Sequence, residues 1–538
     1  MSESSSKPAG PHGAAAPGPA GSNGPSGSNG HSRPAAEARP APRRRSVLRR
    51  VLAGGLVVGL GLLAVLGLKT ATTRSLQLPA EAPLEALPDA AAQHRLAERL
   101  GRALTYETVS RESGAAPELA LRGLHAYLRA AFPAVHATLK LETIADFSLL
   151  YTWPGSDPSA RPYLLLAHQD VVPVEAGTEG RWTYPPFSGS VEGGYIWGRG
   201  ALDDKVSVVA ILEAVERLLQ AGFRPRRTIY LAFGHDEEVS GHNGAMRIAA
   251  TLQQRGVRLD YVLDEGMLIA MGIMPGLARP VATVGLAEKG YLSVELLVDG
   301  TGGHSSMPPP HTAVGVLARA VQRVEDSPLP AELRPPSRQL FEHVAPEVSL
   351  PLRLALSNLW LLKPVLLRQF ASVPSTNALI RTTTAVTMIE GSPKANVLPQ
   401  RARAVVNFRV LPGDTTDQVL AHVRRVVSDP RVQVTPLPQD RSEPSPISSP
   451  ETASFRSLAR SIRSVFPEAV VAPALMIGQA DARHFAAIAD STYRFAPLVL
   501  TGPDLDRLHG TNERISIANY VAAVRFYGQL IRTSDAGN

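Results

Sequence analysis

His168, Asp170, Asp203, Asp204, Glu237, Glu238, Asp264 and His509 are the residues of this 538-residue chain whose types and spacing could do chemistry together. The chain has no Cys, so a metal can be held only by imidazole and carboxylate; thiolate sites, disulfides and cysteine nucleophiles are excluded. Two divalent ions sharing a site need a carboxylate between them to offset their repulsion. Asp203, within Trp197-Gly198-Arg199-Gly200-Ala201-Leu202-Asp203-Asp204-Lys205, suits that place. His168 offers an imidazole, and Asp170, two residues on, can receive that ring's other N–H and fix its tautomer. Glu237 and Glu238 are adjacent and cannot both point the same way, so one can bind metal while the other faces the attacking water as a general base. Asp264 and the late His509 complete two sets of ligands, and the whole is a candidate two-zinc hydrolytic centre.

Taken singly, each residue has a plainer role. A histidine at a strand end is more often structural. Asp203-Asp204 could be an N-cap pair before a helix at Val206. Glu237-Glu238 could lie exposed in a loop, and His509 could be a turn residue. The joint order argues against these roles: His-x-Asp, then Asp-Asp-Lys, then Glu-Glu, then Asp-Glu-Gly, most of them following a predicted strand.

The elements that must position them follow from the apolar pattern. Tyr163 to Ala167, Thr228 to Phe233 and Tyr261 to Leu263 predict buried strands, and Val206 to Leu219 has helical spacing. Strand, helix and strand repeating at these lengths predict an α/β fold, a mixed sheet covered by helices. Ligands of such sheets sit at the carboxyl ends of the strands, where His168, Glu237, Glu238 and Asp264 fall. Helical spacing starts near Ala91 and recurs in a last helix near Tyr520 to Ile531. From Glu288 the pattern changes to alternating strands, at Tyr291 to Val298, Thr382 to Ile389 and Ala402 to Val410. These predict a smaller α+β domain, residues 288–410, inserted between catalytic parts at 91–287 and 411–538. The Leu-rich stretch Leu350 to Phe370 is a core element or a surface for lipid or an acyl chain.

Residues 1–42 are Gly, Pro, Ala, Ser and Asn with almost no large apolar side chain, which predicts a disordered tail. Arg43, Arg44, Arg45, Arg49 and Arg50 then precede an uncharged run of eighteen residues, Val51 to Leu68. That length reaches the lower limit of a spanning helix. The arginines place the N-terminus in the cytoplasm and the rest outside, with residues 43–69 as an uncleaved membrane anchor and 70–90 as a linker. Arg44-Arg45-Ser46-Val47-Leu48-Arg49 also fits a twin-arginine export signal. The net charge of +7 owes much to this tail, and no basic stripe interleaved with aromatics follows, so nucleic acid is not an expected partner.

Ala167-His168-Gln169-Asp170-Val171-Val172-Pro173-Val174, Gly234-His235-Asp236-Glu237-Glu238-Val239-Ser240-Gly241, Val262-Leu263-Asp264-Glu265-Gly266 and Asn407-Phe408-Arg409 carry a resemblance to a known family. Over residues 90 to 532 the chain resembles the di-zinc metallopeptidases that include aminoacylase-1, glutamate carboxypeptidases and succinyl-diaminopimelate desuccinylase. It is most similar to the branch of carboxypeptidase S and the N-fatty-acyl-amino-acid synthase/hydrolases. The resemblance implies one zinc on His168, Asp203 and Asp264, a second on Asp203, Glu238 and His509, and Glu237 as the base. It implies a cis bond between Asp203 and Asp204. It makes the inserted domain a lid and dimerisation domain, whose His304 would stabilise the oxyanion, reaching a partner's site in dimers. Asn396 and Arg409 would hold polar groups of the substrate. Gln479 and Ala480 depart from the family's Gly-Gly-Thr-Asp-Ala-Arg loop.

The expected activity is hydrolysis of amide bonds beside a free carboxylate. N-fatty-acyl amino acids are the first expected substrates, and small peptides cleaved from the C-terminus are the alternative. A non-catalytic binding protein on the same scaffold would lack a ligand or the base, and none is missing. The folded region has neither the Gly-x-Ser-x-Gly elbow of a serine hydrolase nor the Gly-x-x-x-x-Gly-Lys-Ser/Thr loop of a phosphate-binding NTPase.

Overall fold

The computed structural model describes residues 44–83, 85–112, 116–274 and 276–536. The expected disordered tail lies outside the described residues. The chain divides into two compact units, Met1–Leu63 and Ala64–Asn538. The first is helical over its described residues, within the helix Arg44–Thr72. The stretch Arg49–Thr72 is long and apolar enough to cross a membrane.

In the second unit a large mixed sheet carries the site. Its strands run in the order Lys140–Ile144, Ser148–Trp153, Ile229–Gly234, Tyr163–His168, Leu259–Asp264, Ala489–Arg494, Val281–Glu288, Ile269–Ala270 and Val499–Leu500, with Val470–Met476 also paired to Val281–Glu288. The four strands Ile229–Gly234, Tyr163–His168, Leu259–Asp264 and Ala489–Arg494 are parallel neighbours, so their carboxyl ends lie on one edge. Every residue of Tyr163–His168 is buried. A strand covered on both faces reads as a continuous apolar run, which is why this one was legible. One face packs on the helices Ala90–Leu104, Lys205–Gln220 and Ile517–Asp535, and the other on Ala245–Gln254.

Before Ala90 the expected linker is held down. The Gln77 amide donates to Val471 O at 3.0 Å and accepts from Val471 N at 2.7 Å, and Glu85 pairs with Arg217.

A separate antiparallel sheet has the order Thr383–Glu390, Arg401–Val410, Gly290–Asp299, Val432–Ser442. It is backed by the helices Ala313–Asp326 and Thr416–Val427. This layer runs past residue 410, where the sequence pattern places the end of the insertion. Its last strand contains Pro436 and Pro438, which mask it in sequence. Proline is tolerated there because the strand is an edge strand. Between Pro335 and Ile380 the chain leaves this sheet for a helical layer that packs through Leu340, Val344, Leu356 and Leu366 on Val281, Val470 and Ala472 of the large sheet.

Candidate metal centre

His168 stands at the carboxyl end of its strand, with both ring nitrogens engaged. Nδ1 lies 3.0 Å from the backbone oxygen of Asp170, and Nε2 lies 2.9 Å from Asp203 Oδ1. The other oxygen of Asp203, Oδ2, lies 3.1 Å from His509 Nε2. One carboxylate therefore spans two imidazoles that come from distant parts of the chain. Burial opposes charge on His168, but the hydrogen bonds and charges of Asp170 and Asp203 outweigh it and hold the imidazole well above its ordinary pKa. The hydrogen bond that Nε2 makes to Asp203, with the negative charge of Glu238 beside it, pushes His509 up to about 10. Both rings are thus poised to hold a cation, proton or metal, against Asp203. Burial alone would raise the Asp203 pKa; the two histidines reverse that and lower it.

The donor set fits divalent metal. His168, Asp203 and Glu238 each offer a ligand atom, and these atoms all lie within 4.8 Å of one another. The mix of imidazole nitrogen and carboxylate oxygen around Asp203 is the donor chemistry that zinc takes where no thiolate is present. Glu238 Oε1 is buried without a hydrogen bond, and its nearest cationic neighbour is His509 Nε2 at 3.5 Å. An orphaned buried carboxylate oxygen is costly unless a cation completes it.

Asp170 joins the two halves of the cluster. Its Oδ1 accepts the backbone N–H of Glu237 and its Oδ2 that of Glu238, each at 3.2 Å, while Oδ1 lies 3.4 Å from His168 Nδ1. The short turn Glu237–Val239 is thereby tied to the end of the His168 strand. Glu237 lines an open cavity of about 600 Å³ together with Asp203, Glu238, Arg409 and His509. Burial, with the charges of Asp481, Glu238 and Asp203, holds its carboxyl well above the usual carboxylate range despite His168. A carboxylate with raised pKa in a cleft is suited to carry protons.

Asp204 stands at the N-cap of the helix Lys205–Gln220 but makes no side-chain cap bond, and both its oxygens are buried without partners. The Asp203-Asp204 peptide bond is cis, as the resemblance implies.

Asp264 does not join the group formed by His168, Asp203 and Glu238. Its Oδ2 accepts the N–H of Ala482 at 2.6 Å and its Oδ1 that of Glu265 at 3.0 Å. The adjacent Glu265, which the sequence pattern passes over, lines the cavity instead. Burial and the charges of Asp203, Asp264 and Glu237 raise its carboxyl well above the ordinary range. Asp264 thus serves the loop Gly478–Arg483, whose other anchors are Ala480 N to Glu288 Oε2 at 2.6 Å and Gln479 Nε2 to Ser442 Oγ at 2.6 Å. A second pair was also missed: Arg199 and Glu513, both fully buried, flank the loop of Asp203.

Of the substrate-side residues, Arg409 lines the cavity and stacks on Tyr291 with its guanidinium carbon 4.6 Å from the ring centre. His304 and Asn396 do not line it. They lie together on an exposed edge, where Gly303–His304 pairs with Val397–Leu398 and Ser305 N donates to Asn396 O at 3.1 Å.

The model of peptidase family M20/M25/M40 matches residues 164–533. The probable carboxypeptidase S-like 2 of Dictyostelium discoideum is 46% identical over 445 residues, covering 82% of this chain and 85% of that protein. The N-fatty-acyl-amino acid synthase/hydrolase PM20D1 of Xenopus tropicalis is 43% identical over 448 residues, covering 82% of this chain and 86% of that protein. Among solved structures, an M20 family metallo-carboxypeptidase from Sulfolobus solfataricus, Sso-CP2, superposes with a TM-score of 0.61 at 18% identity, over 81% of this chain and 98% of that one. This last likeness bears on the fold alone.

Proposed function

Because the chain belongs to peptidase family M20/M25/M40, a family of metal-dependent amide hydrolases, we propose that it cleaves the amide bond of N-fatty-acyl amino acids at the cavity around Asp203. The observation that carries this reading is the placement of the Asp203 carboxylate between His168 and His509, with Arg409 lining the same cavity. His168, Asp203 and Glu265 would hold one zinc ion, and Asp203, Glu238 and His509 the other. Two such ions would supply the positive charge that lowers the pKa of water and polarises a carbonyl. Glu237 takes the proton of the attacking water and returns it to the departing amine nitrogen as the carbon–nitrogen bond breaks, which releases a carboxylic acid and an amino acid. Asp170 keeps the His168 ring in place and holds the turn that bears Glu237 and Glu238 beside it. Arg409 grips the free carboxylate of the amino acid. Run backward, the same site joins a fatty acid to an amino acid.

The similarity to the Xenopus tropicalis enzyme supports a fatty-acyl substrate. The Dictyostelium discoideum relative favours the alternative, removal of C-terminal residues from small peptides. The exposed edge bearing His304 and Asn396 supports a homodimer in which each copy's edge completes the other's cavity. The apolar stretch Arg49–Thr72 supports an uncleaved anchor with the catalytic unit outside the cytoplasm.

The test is amine release by the zinc-loaded protein from long-chain N-acyl amino acids, N-acetyl amino acids and dipeptides, with Glu237→Gln as control. Preference for the long chain, lost in the control, is expected. Preference for dipeptides would make the protein a carboxypeptidase, and no release from any substrate with metal bound would return it to the binding-protein class.

A further inference from the structure

The helices Leu350–Ser357 and Leu359–Ala371 show two unlike faces. Inward, Leu356 and Leu366 are buried in the cluster that includes Leu340 and Val470. Outward, Leu350 is 69% exposed, Trp360 55% and Val365 62%, with Leu354 and Leu361 beside them. Large apolar side chains exposed together on two adjoining helices are the kind of surface that marks an interaction site. The two helices meet at 112°, so they do not form one straight span. The longer has 13 residues and reaches about 20 Å, short of the ~30 Å hydrocarbon core. Their charges, Arg353, Lys363 and Arg368, are all positive.

What covers this face is indicated by what it is tied to. Asn358, at the bend, is fully buried, and its Nδ2 donates to Leu66 O at 3.3 Å and to Thr70 Oγ1 at 3.1 Å. Arg353 Nη2 donates to Thr73 O at 2.7 Å, and Thr73 Oγ1 to Ser357 Oγ at 3.0 Å. Leu66 belongs to the last turn of the uncharged apolar run, which ends at Lys69. The bend is therefore bonded to the chain at the point where that run stops. We propose that the Leu350–Ala371 pair is a membrane seat: it lies in the interface of the bilayer with Leu350, Trp360 and Val365 among the lipids and the exposed Lys363 and Arg368 against anionic headgroups. The pair would hold the catalytic unit against the leaflet in which an amphiphilic substrate or product resides. This inference rests on the anchor reading.

Trp360 makes it directly measurable. The chain has four Trp, and Trp153, Trp182 and Trp197 are buried at 3%, 8% and 8% exposure. The full chain is reconstituted in vesicles of phosphatidylcholine and phosphatidylglycerol, with and without acyl-chain bromination. Flotation reports the anchor, and bromine quenching of Trp emission reports the seat. The expected result is flotation with quenching that disappears in Trp360→Phe and falls in Leu350→Glu/Val365→Glu, both variants still floating. Flotation without quenching overturns the seat and leaves the anchor standing. Failure to float overturns both. Quenching unchanged in Trp360→Phe assigns it to another tryptophan and also overturns the seat, as does cross-linking of position 360 to a second copy in place of quenching.

Discussion

Arg199 and Glu513 form a buried ion pair, Nη1 to Oε2 at 2.5 Å, that ties the loop of Asp203 to the loop of His509. The pair is more than a link between charges. Glu513 Oε1 accepts the backbone N–H groups of Gly200 at 3.0 Å and Leu202 at 2.8 Å, and Arg199 Nη2 donates to His509 O at 3.1 Å. Removing one member strands the other in a dry interior, which typically costs about 3–5 kcal/mol. Glu513→Gln is expected to lower the midpoint of thermal unfolding and to reduce bound metal, because both Asp203 and His509 lose their support. Wild-type metal content and midpoint would show that the two loops hold their positions without the pair.

Glu237→Gln keeps the shape of the side chain and removes its basicity. Proton transfer by a positioned carboxylate contributes about 10²–10⁴ in rate, so kcat should fall by roughly that factor. Metal content and unfolding midpoint should stay close to wild type, since Glu237 is proposed only as the proton carrier. A matching loss of metal would make it a ligand instead.

Asp264 and Glu265 separate cleanly by experiment. Asp264 spends its oxygens on the N–H groups of Ala482 and Glu265, whereas Glu265 lines the cavity. Glu265→Gln should lower the number of zinc ions retained after dialysis. Asp264→Asn should retain them better while loosening the Gly478–Arg483 loop, seen as faster amide hydrogen exchange there. The reverse pattern would restore Asp264 as the ligand.

The same pair of residues marks how far the sequence could be read. The parallel strands were legible because strands covered on both faces are unbroken apolar runs, and chemistry placed after such runs falls on one edge of the sheet. His168 and Glu238 follow two of those runs, whereas Asp203 and His509 reach them from loops that no strand run announces. Local sequence holds no signal that separates the surroundings of Asp264 and Glu265, because the N–H that Asp264 accepts comes from Ala482 on a remote loop. Glu513 was equally hidden, since its partners are the backbone of Gly200 and Leu202 and the side chain of Arg199. The strand Val432–Ser442 was concealed by prolines that its edge position permits. The bend at Asn358 shows the same limit: besides Leu354 O one turn back, the buried asparagine bonds Leu66 and Thr70, nearly three hundred residues away in sequence.

Arg409 gives a specificity test. Its guanidinium is held over Tyr291 and lines the cavity, and a charge-assisted grip is worth about 1.5–3 kcal/mol. Arg409→Met should raise KM for substrates with a free carboxylate by roughly 10- to 100-fold. The corresponding α-amides, which lack the charge that Arg409 would grip, should be affected little. Equal losses on acids and amides would show that Arg409 shapes the cavity without binding the carboxylate.

Glu213 sets a pH dependence remote from the site. It is buried on the helix Lys205–Gln220, 3.1 Å from Arg99. Burial pushes its carboxyl from 4.5 up to about 7, against the pull of Arg99 and Arg217. The folded pKa therefore lies above the unfolded one, and between the two the folded chain binds the proton more tightly. The associated stabilisation is complete below the unfolded pKa and is lost as pH rises through about 7. A shift of this size corresponds to an upper bound on the order of 3 kcal/mol. Glu213→Gln is neutral at every pH, so its unfolding midpoint should fall less than that of the wild type between about pH 5 and pH 8 and should be the higher of the two at the alkaline end. Thermal unfolding of both proteins across that range decides it. Parallel profiles would mean that Arg99 keeps Glu213 ionised throughout and that the burial cost is met within the pair.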